Sequence, residues 1–481
     1  MSNKYTSSFV DSIIKSFFGT LSAIFSITVI TKILATYVGP NAIAYFSLFR
    51  EYNKLITQSI SLKSNDALVQ NFKKNYYDRK FEINSSILRF LIIFFGIYIL
   101  FCSLIIIFFQ HEILIKLELD SIEILITLFI TGILGGVNIV SIALLNSNNK
   151  LLQLSLSESI GYLSVMLLVV FFPLFFDNPN NIIYILFAIN LVWLVFTVLY
   201  NLKNPILRKI NLSSFKFKFS HIRGFISLSL GSLVVVIAGI YTNLYVKYKI
   251  IDLLGINGLG IFESAWTISS VYLLLLFSTF NKHVLPNFSI VIPEKINNTI
   301  ENYISTSSFF ISIMILTLLT FKEYIILLLY SEKFIESSSM LSLILIADYM
   351  KMISWILTLL MIAKNKTKLF VYGSFFYNIV LIFCLQFLHS ENALVNFSYI
   401  YLIVQFLYLI FNLKAVSLFT KFSIIKAKDF KKYIFTFTTL IFQLILVERL
   451  ELIYSIISLI ILIIIMFFTH KNNLLNPELD Y

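Results

Sequence analysis

Residues 40–64 read PNAIAYFSLFREYNKLITQSISLKS, a stretch long enough to cross a bilayer as a helix, yet Arg50, Glu51 and Lys54 stand near its middle. A charge at the centre of a spanning helix costs roughly 2.5–3.5 kcal/mol, so three facing lipid would cost about 8–10 kcal/mol. The fold must hide them. Ser47, Arg50, Lys54, Gln58 and Ser61 recur at the three- and four-residue spacing of one helix face, with Glu51 at its edge. The pattern predicts a polar stripe turned inward, forming one wall of a water-filled, positively charged cavity.

The rest of the chain supplies the apolar surroundings such a stripe requires. Of 481 residues 58% are hydrophobic and 13% charged, with a mean hydropathy of +0.89, outside the soluble globular range. The composition predicts a polytopic, all-α membrane protein. At about 20 apolar residues per span, helices are expected near 9–36, 40–64, 84–109, 121–146, 150–176 and 181–202. A second set is expected near 222–251, 258–286, 302–330, 337–363, 367–388 and 394–416, and two more near 431–447 and 452–469, fourteen in all. The first segment is too long for a signal-peptide core and reads as a permanent span. The resulting organisation is a six-helix bundle over 1–210, a second over 211–418 and two additional helices with a tail over 419–481. The bundles are expected to be pseudo-symmetric around a central cavity.

Loop charge tests this division independently. Segment 63–82 holds Lys63, Lys73, Lys74, Arg79 and Lys80; segment 203–223 holds Lys203, Arg208, Lys209, Lys216, Lys218 and Arg223; segment 414–432 holds six lysines. Alternate loops are neutral or acidic, with Glu112, Glu118, Asp120, Asp177, Glu391 and Glu448 among their residues. The positive-inside rule then places both termini in the cytoplasm. The net charge of +12 follows from this topology rather than from nucleic-acid binding.

A weak repeat relates the halves. An offset of 216 residues aligns Gly39, Asn41 and Phe46 with Gly255, Asn257 and Phe262, each set opening a helix. The same offset sets Glu263 against Ser47, Trp266 against Arg50 and Ser270 against Lys54, so one half offers cations and the other an acid and an aromatic ring. Guanidinium and ammonium groups suit phosphate oxygens, and a Trp face suits a sugar ring. The alternative is mutual neutralisation of Arg50, Glu51, Lys54 and Glu263 across packed helices.

Other charges in the spans carry the same two readings. Asp11 and Lys15 form either a local ion pair or a ligand-steering site, and Lys32 either lines a cavity or snorkels to the interface. Asn243 and Lys247 share a face, with Lys247 near the expected end of its span. Asp348 and Lys351, three residues apart in mid-span, are either a buried hydrogen-bonded pair or a titrating carboxylate tuned by its lysine, as ion-coupled carriers require. Nothing points to an enzyme: the chain lacks a Gly-x-x-x-x-Gly-Lys-Ser/Thr loop, and its histidines, 111, 221, 283, 389 and 470, never fall at paired metal-ligand spacing. No cofactor or metal is expected. Cys102 and Cys384 stand far apart in apolar runs and suggest no disulfide framework.

Three stretches resemble the oligosaccharide flippases, the O-antigen and related translocases of the multidrug/oligosaccharidyl-lipid/polysaccharide exporter superfamily. They are KILATYVGP from Lys32, GLGIFESAWTISSVYLLLLFSTFNKHVLPNFS from Gly258, and LLYSEKFIESSSMLSLILIADYMKMISWILTLLMIAKNKTKLFV from Leu328. The third is the most specific, carrying Tyr330, Ser331, Phe334, the Asp348/Lys351 pair, Trp355, Ala363 and Lys364 in the family's order. It departs from the family at Ala347, where Gly is common. The resemblance implies a bacterial inner-membrane carrier that flips an undecaprenyl-pyrophosphate-linked oligosaccharide, in O-antigen or capsular polysaccharide synthesis, driven by a proton or sodium gradient. It further implies substrate contacts from Arg50, Lys54, Lys15, Lys32, Lys247, Glu263 and Trp266. Ion coupling would fall to Glu51, Asp348 and Lys351. Membrane lipids, a polysaccharide polymerase and a chain-length regulator are the implied partners. The rivals are a cation-coupled multidrug exporter of the same superfamily, whose cavity would favour acids and aromatics, and an intramembrane polymerase or ligase, which would carry a large external loop.

Overall fold

The computed structural model describes residues 2–77, 81–117, 121–148, 150–202, 219–420, 422 and 430–475, with side chains at most of these positions from residue 19 onward. The described residues are almost entirely helical. Fifteen α-helices result: α1 (Ser2–Tyr37), α2 (Pro40–Ile60), α3 (Asn65–Tyr77), α4 (Phe81–Leu117), α5 (Ile122–Ser147), α6 (Leu151–Phe171), α7 (Ile183–Asn201), α8 (Phe219–Ile290), α9 (Ile296–Thr320), α10 (Lys322–Leu329), α11 (Ser337–Ala363), α12 (Thr367–Leu385), α13 (Ala393–Ser417), α14 (Phe430–Arg449) and α15 (Leu452–Leu475). Among the described residues, twelve segments are long and apolar enough to cross a membrane. The chain is a multi-pass membrane protein. Its three charges keep α2 out of that twelve, and the run Ile222–Leu274 counts once although Gly255 breaks it; a total of fourteen requires α2 and both limbs of α8 to cross.

The break at Gly255 has a counterpart. Gly39 ends α1, where the Val38 and Gly39 amides both donate to the Leu34 carbonyl at 3.0 and 2.9 Å. Gly39 then turns with φ 100° and ψ −160°, and Pro40 opens α2 with its fixed φ and absent N–H. Gly255 has φ 71° and ψ −179°. Both conformations lie in a region open essentially to glycine, and among the described residues these are the glycines with positive φ. The two glycines that the 216-residue offset aligns therefore make the same kind of helix break.

The described residues divide into two compact units, Met1–Leu244 and Tyr245–Tyr481. The dividing line falls inside the first limb of α8 because Ile222, Phe225 and Leu233 join the first unit's core with Leu68, Phe72, Ile87 and Leu144. In that unit α1 packs on α6, and α5 on α2, α3 and α7. Gly132, Gly135 and Gly136 of α5 face Ile56, Thr57 and Ile60 of α2 so closely that no Cβ would fit, and Thr57 Oγ1 donates to the Gly132 carbonyl at 3.2 Å. Helix α4 has 37 residues, about 55 Å at 1.5 Å per residue, and its outward row of Ile93, Ile97, Leu100, Leu104 and Phe108 is exposed. In a bilayer that row is a lipid face.

Two elements differ from the expected spans. Helix α3 is too short and polar to register as a span; it is held by its inward Ala67, Leu68 and Phe72. The expected span 302–330 divides at Phe321, because Lys322 turns inward and donates from Nζ to Ser342 Oγ at 2.7 Å. In the second unit α11 packs on α9, α12 and α13 and is the most buried helix. The last two helices belong to this unit. The fully buried Gln443 of α14 donates to Thr320 Oγ1 at 2.9 Å and to the Ser455 carbonyl at 3.1 Å, and accepts from Ser458 Oγ at 2.8 Å.

Candidate functional site

The polar stripe of α2 lines a cavity of about 320 Å3 inside the first unit, a volume at the lower end of the roughly 300–1,000 Å3 of ligand sites. Arg50, Asn53, Lys54, Thr57 and Gln58 form its α2 wall; Gly135 and Asn138 come from α5, Tyr162 from α6, and Asn190 and Trp193 from α7. The geometry follows from the packing just described, since the α5 glycines draw α2 in while the long side chains of Arg50 and Lys54 hold the space open. Asn138 Oδ1 accepts from Thr197 Oγ1 at 2.8 Å, and Asn201 donates to the Ser141 carbonyl at 2.8 Å, fixing α7 against α5.

The cavity combines positive charge with groups suited to polyhydroxylated ligands. Lys54 Nζ lies 3.9 Å from Glu51 Oε2, with the Lys54 side chain 48% exposed, so this pair is a weak one. Glu51 itself is buried. Tyr162 and Trp193 approach with ring centroids 5.9 Å apart. Gln58 Oε1 and Trp193 Nε1 are buried without a hydrogen-bond partner, one an acceptor and the other a donor, as a hydroxyl requires of its surroundings. Behind Tyr162, one turn earlier on α6, Glu158 carries a carboxylate close to Gly19 of α1, and Ser22 and Ser159 share a 2.6 Å hydrogen bond.

The second unit is arranged differently. Lys247 Nζ and Glu263 Oε1 form a 2.7 Å ion pair with side chains 5% and 1% exposed. Asp348 is fully buried, and its Oδ2 accepts from Ser269 Oγ at 2.7 Å and Tyr272 OH at 2.8 Å. Its Oδ1 has no hydrogen-bond partner. Lys351 does not bridge to it; its Nζ lies 6.0 Å from the Trp266 ring centroid and 5.9 Å from that of Tyr401, within cation–π range. Phe262, Trp266, Phe397 and Tyr401 stack among themselves at 4.8–6.2 Å.

The expected site residues thus fall in distinct settings. Arg50 and Lys54 share the first unit's cavity. Lys32 is half-buried on α1, and the side chains of Asp11 and Lys15 lie outside the described residues. Lys247, expected near a span end, is instead fully engaged by Glu263, which leaves neither group open to a ligand in this conformation. Trp266 belongs to the aromatic cluster. Asp348 and Lys351 occupy one centre without pairing. Sequence reasoning missed Glu158, Tyr162, Asn190 and Trp193. A signal existed for one of them, since Glu158 is the one acid between 150 and 176.

No family model matches the chain, and no curated protein does. Solved structures match it in fold. The lipid II flippase MurJ in an inward closed conformation superposes with a TM-score of 0.69 at 15% identity, covering 97% of this chain and 100% of that one. Inward-facing and outward-facing multidrug resistance MATE transporters of the MOP superfamily superpose with TM-scores of 0.66 and 0.61 at 14% and 15% identity. They cover 85% of this chain and 98% and 94% of their own. At these identities the likeness establishes a shared fold.

Proposed function

We propose that the chain is a flippase that carries a pyrophosphate-linked oligosaccharide lipid across the membrane, with the α2 cavity receiving its polar head. The observation that carries this reading is the cavity's composition: Arg50 and Lys54 for phosphate oxygens, and Tyr162, Trp193 and the Gln58 and Asn190 amides for sugar. A guanidinium offers a bidentate fork to phosphate and an ammonium a compact point charge. The lipid tail can stay in the bilayer while the wet cavity takes the head.

The fold supports the same choice. The 97% coverage by the MurJ superposition leaves about 3% of the chain outside it, too little to omit the last two helices, which hold 20 and 24 residues. The MATE superpositions leave about 15% outside. Movement is coupled to a proton or sodium gradient through Asp348, a buried carboxylate positioned by Ser269 and Tyr272. The setting is a bacterial inner membrane with both termini in the cytoplasm, and the pathway that of O-antigen or capsular polysaccharide.

Reconstituted protein tests this. Wild type is expected to move a fluorescent lipid-pyrophosphate oligosaccharide to the opposite leaflet under an imposed ion gradient, and Arg50→Gln/Lys54→Gln to fail. Equal transport by the double variant would refute the assignment. One observation favours a second reading, a cation-coupled exporter: the Phe262, Trp266, Phe397 and Tyr401 cluster already engages a cation, Lys351. Extrusion of a cationic dye, sensitive to Trp266→Ala and indifferent to Arg50→Gln, would select it.

A further inference from the structure

Helices α11 and α13 pack side by side, and each carries a polar row; on α11, Asp348 and Trp355 also meet α8 through Ser269, Tyr272 and Phe277. On α13 the row is Tyr401, Gln405, Tyr408 and Asn412, spaced four, three and four residues apart; on α11 it is Asp348, Lys351, Trp355 and Thr358, spaced three, four and three. These are the spacings of one helix face. Contacts tie the rows together at two levels, Lys351 Nζ over the Tyr401 ring at 5.9 Å and Thr358 Oγ1 with Tyr408 OH at 3.5 Å. Both helices advance in the same direction, so the rows form a ladder from Asp348 in mid-helix toward the ends at Ala363 and Ser417.

The ladder is underbonded and mostly buried, with Lys351, Trp355 and Tyr408 half-buried. Gln405 is 1% exposed and Asn412 0%. Asp348 Oδ1, Trp355 Nε1, Gln405 Oε1 and both amide atoms of Asn412 are buried with no hydrogen-bond partner. Buried polar atoms in native proteins are nearly always satisfied, by protein or by internal water, because an orphaned one forfeits its hydration. With the Tyr401 hydroxyl, six such atoms on these neighbouring stretches of α11 and α13 exceed what packing tolerates by accident. Gly373 of α12 faces the Asn412 amide oxygen, where even an added Cβ would stop 3.6 Å short, so α12 supplies no side-chain partner from that position.

We infer that internal water fills the α11–α13 ladder and makes it a proton path between Asp348 and the helix ends near Asn412. The charge pattern of the loops places those ends at the cytoplasmic face. Protonated Asp348 gives the proton on Oδ1 to the adjacent water, which passes one of its own along a chain of waters held in place by the amides and hydroxyls of the two rows. The carboxylate left behind is held by the Ser269 and Tyr272 hydroxyls on Oδ2. Every proton released from Asp348 leaves as one proton at the far end, and no other bond changes. The titratable groups bearing on Asp348 are Lys351 on its own helix, Tyr272 from α8, Tyr377 from α12 and Tyr401 from α13. The path rests on the ion-coupling role given to Asp348 above and narrows that role to protons.

Two measurements on the full-length protein in lipid test it. Radiolytic labelling in 18O water should mark the buried Tyr401 as well as the half-buried Tyr408, and Asn412→Leu should cut labelling at both at least severalfold. In liposomes loaded with a pH-sensitive dye, an acid jump should drive proton uptake that Asp348→Asn abolishes, that Asn412→Leu or Gln405→Met slows about tenfold, and that Asn412→Gln restores. Absent labelling at Tyr408 overturns the water-filled ladder. Asp348-dependent uptake that Asn412→Leu and Gln405→Met leave unchanged overturns the path while sparing the coupling role. Wild-type protein that takes up no protons overturns both.

Discussion

The cavity of the first unit and the carboxylate centre of the second solve opposite electrostatic problems. Around Arg50 and Lys54 the protein keeps space: a 320 Å3 cavity, one lysine half exposed, and amides and rings with unmet hydrogen-bonding capacity. Around Glu263 it removes space, pairing it with Lys247 at 2.7 Å, and it buries Asp348 fully, with two hydroxyl donors on one carboxylate oxygen. A charge left in a wet cavity is cheap and ready to meet a counter-ion from outside. A charge sealed among helices must be satisfied from within, by protein groups or internal water, and its state of protonation becomes part of the packing. The first arrangement suits a ligand that comes and goes; the second suits a switch.

Substitutions should separate the two regimes by size. Glu263→Ala, which strands the Lys247 ammonium in a buried site, is expected to cost about 3–5 kcal/mol of stability. Lys247→Met/Glu263→Leu should recover most of it, as thermal unfolding in detergent would register; a single variant as stable as wild type would show that the pair is not sealed. The same removal of charge at Lys54 in the cavity should move stability by less than about 1 kcal/mol, and a larger loss there would erase the contrast.

Next in size is the backbone. Gly255→Ala and Gly39→Ala each force a side chain into a conformation costing about 1–3 kcal/mol. Equal losses in the two variants would sharpen the view that both units use one device to start a helix, and a loss at Gly39 alone would break it. Trp193→Ala should weaken binding of a saccharide-bearing substrate by about 0.5–1.5 kcal/mol, the worth of a stacking contact beyond its area, while leaving binding of inorganic pyrophosphate unchanged in the same titration.

Much of this was legible from residues alone. The helices of the apolar runs lie near their expected bounds, although the first begins at Ser2 rather than 9, α4 runs on to Leu117 rather than 109 and α9 begins at Ile296 rather than 302, because length and hydropathy are what a bilayer selects. Gly39 and Gly255 carried the repeat, since their conformations are demanded locally. Helix α3 was not legible, as thirteen amphipathic residues carry no span-length signal, and the division at Phe321 was hidden because the apolar run continues through it. At the site, Arg50 and Lys54 announced themselves by their cost. Tyr162, Trp193 and Asn190 did not, because an aromatic or an amide in a span is unremarkable until packing brings it beside a cation. The Lys247–Glu263 contact joins the two limbs of α8 across a break, and only the fold reveals that they meet.

The central claim is that the α2 cavity receives an anionic, sugar-bearing head group. Its most direct test is the affinity of purified protein for a lipid-pyrophosphate oligosaccharide, compared between wild type and Arg50→Gln/Lys54→Gln at fixed low salt. Loss of two charge-assisted hydrogen bonds, each about 1.5–3 kcal/mol, predicts binding weaker by roughly 10²–10⁴-fold with thermal stability retained. Undiminished affinity in a folded double variant would contradict the account.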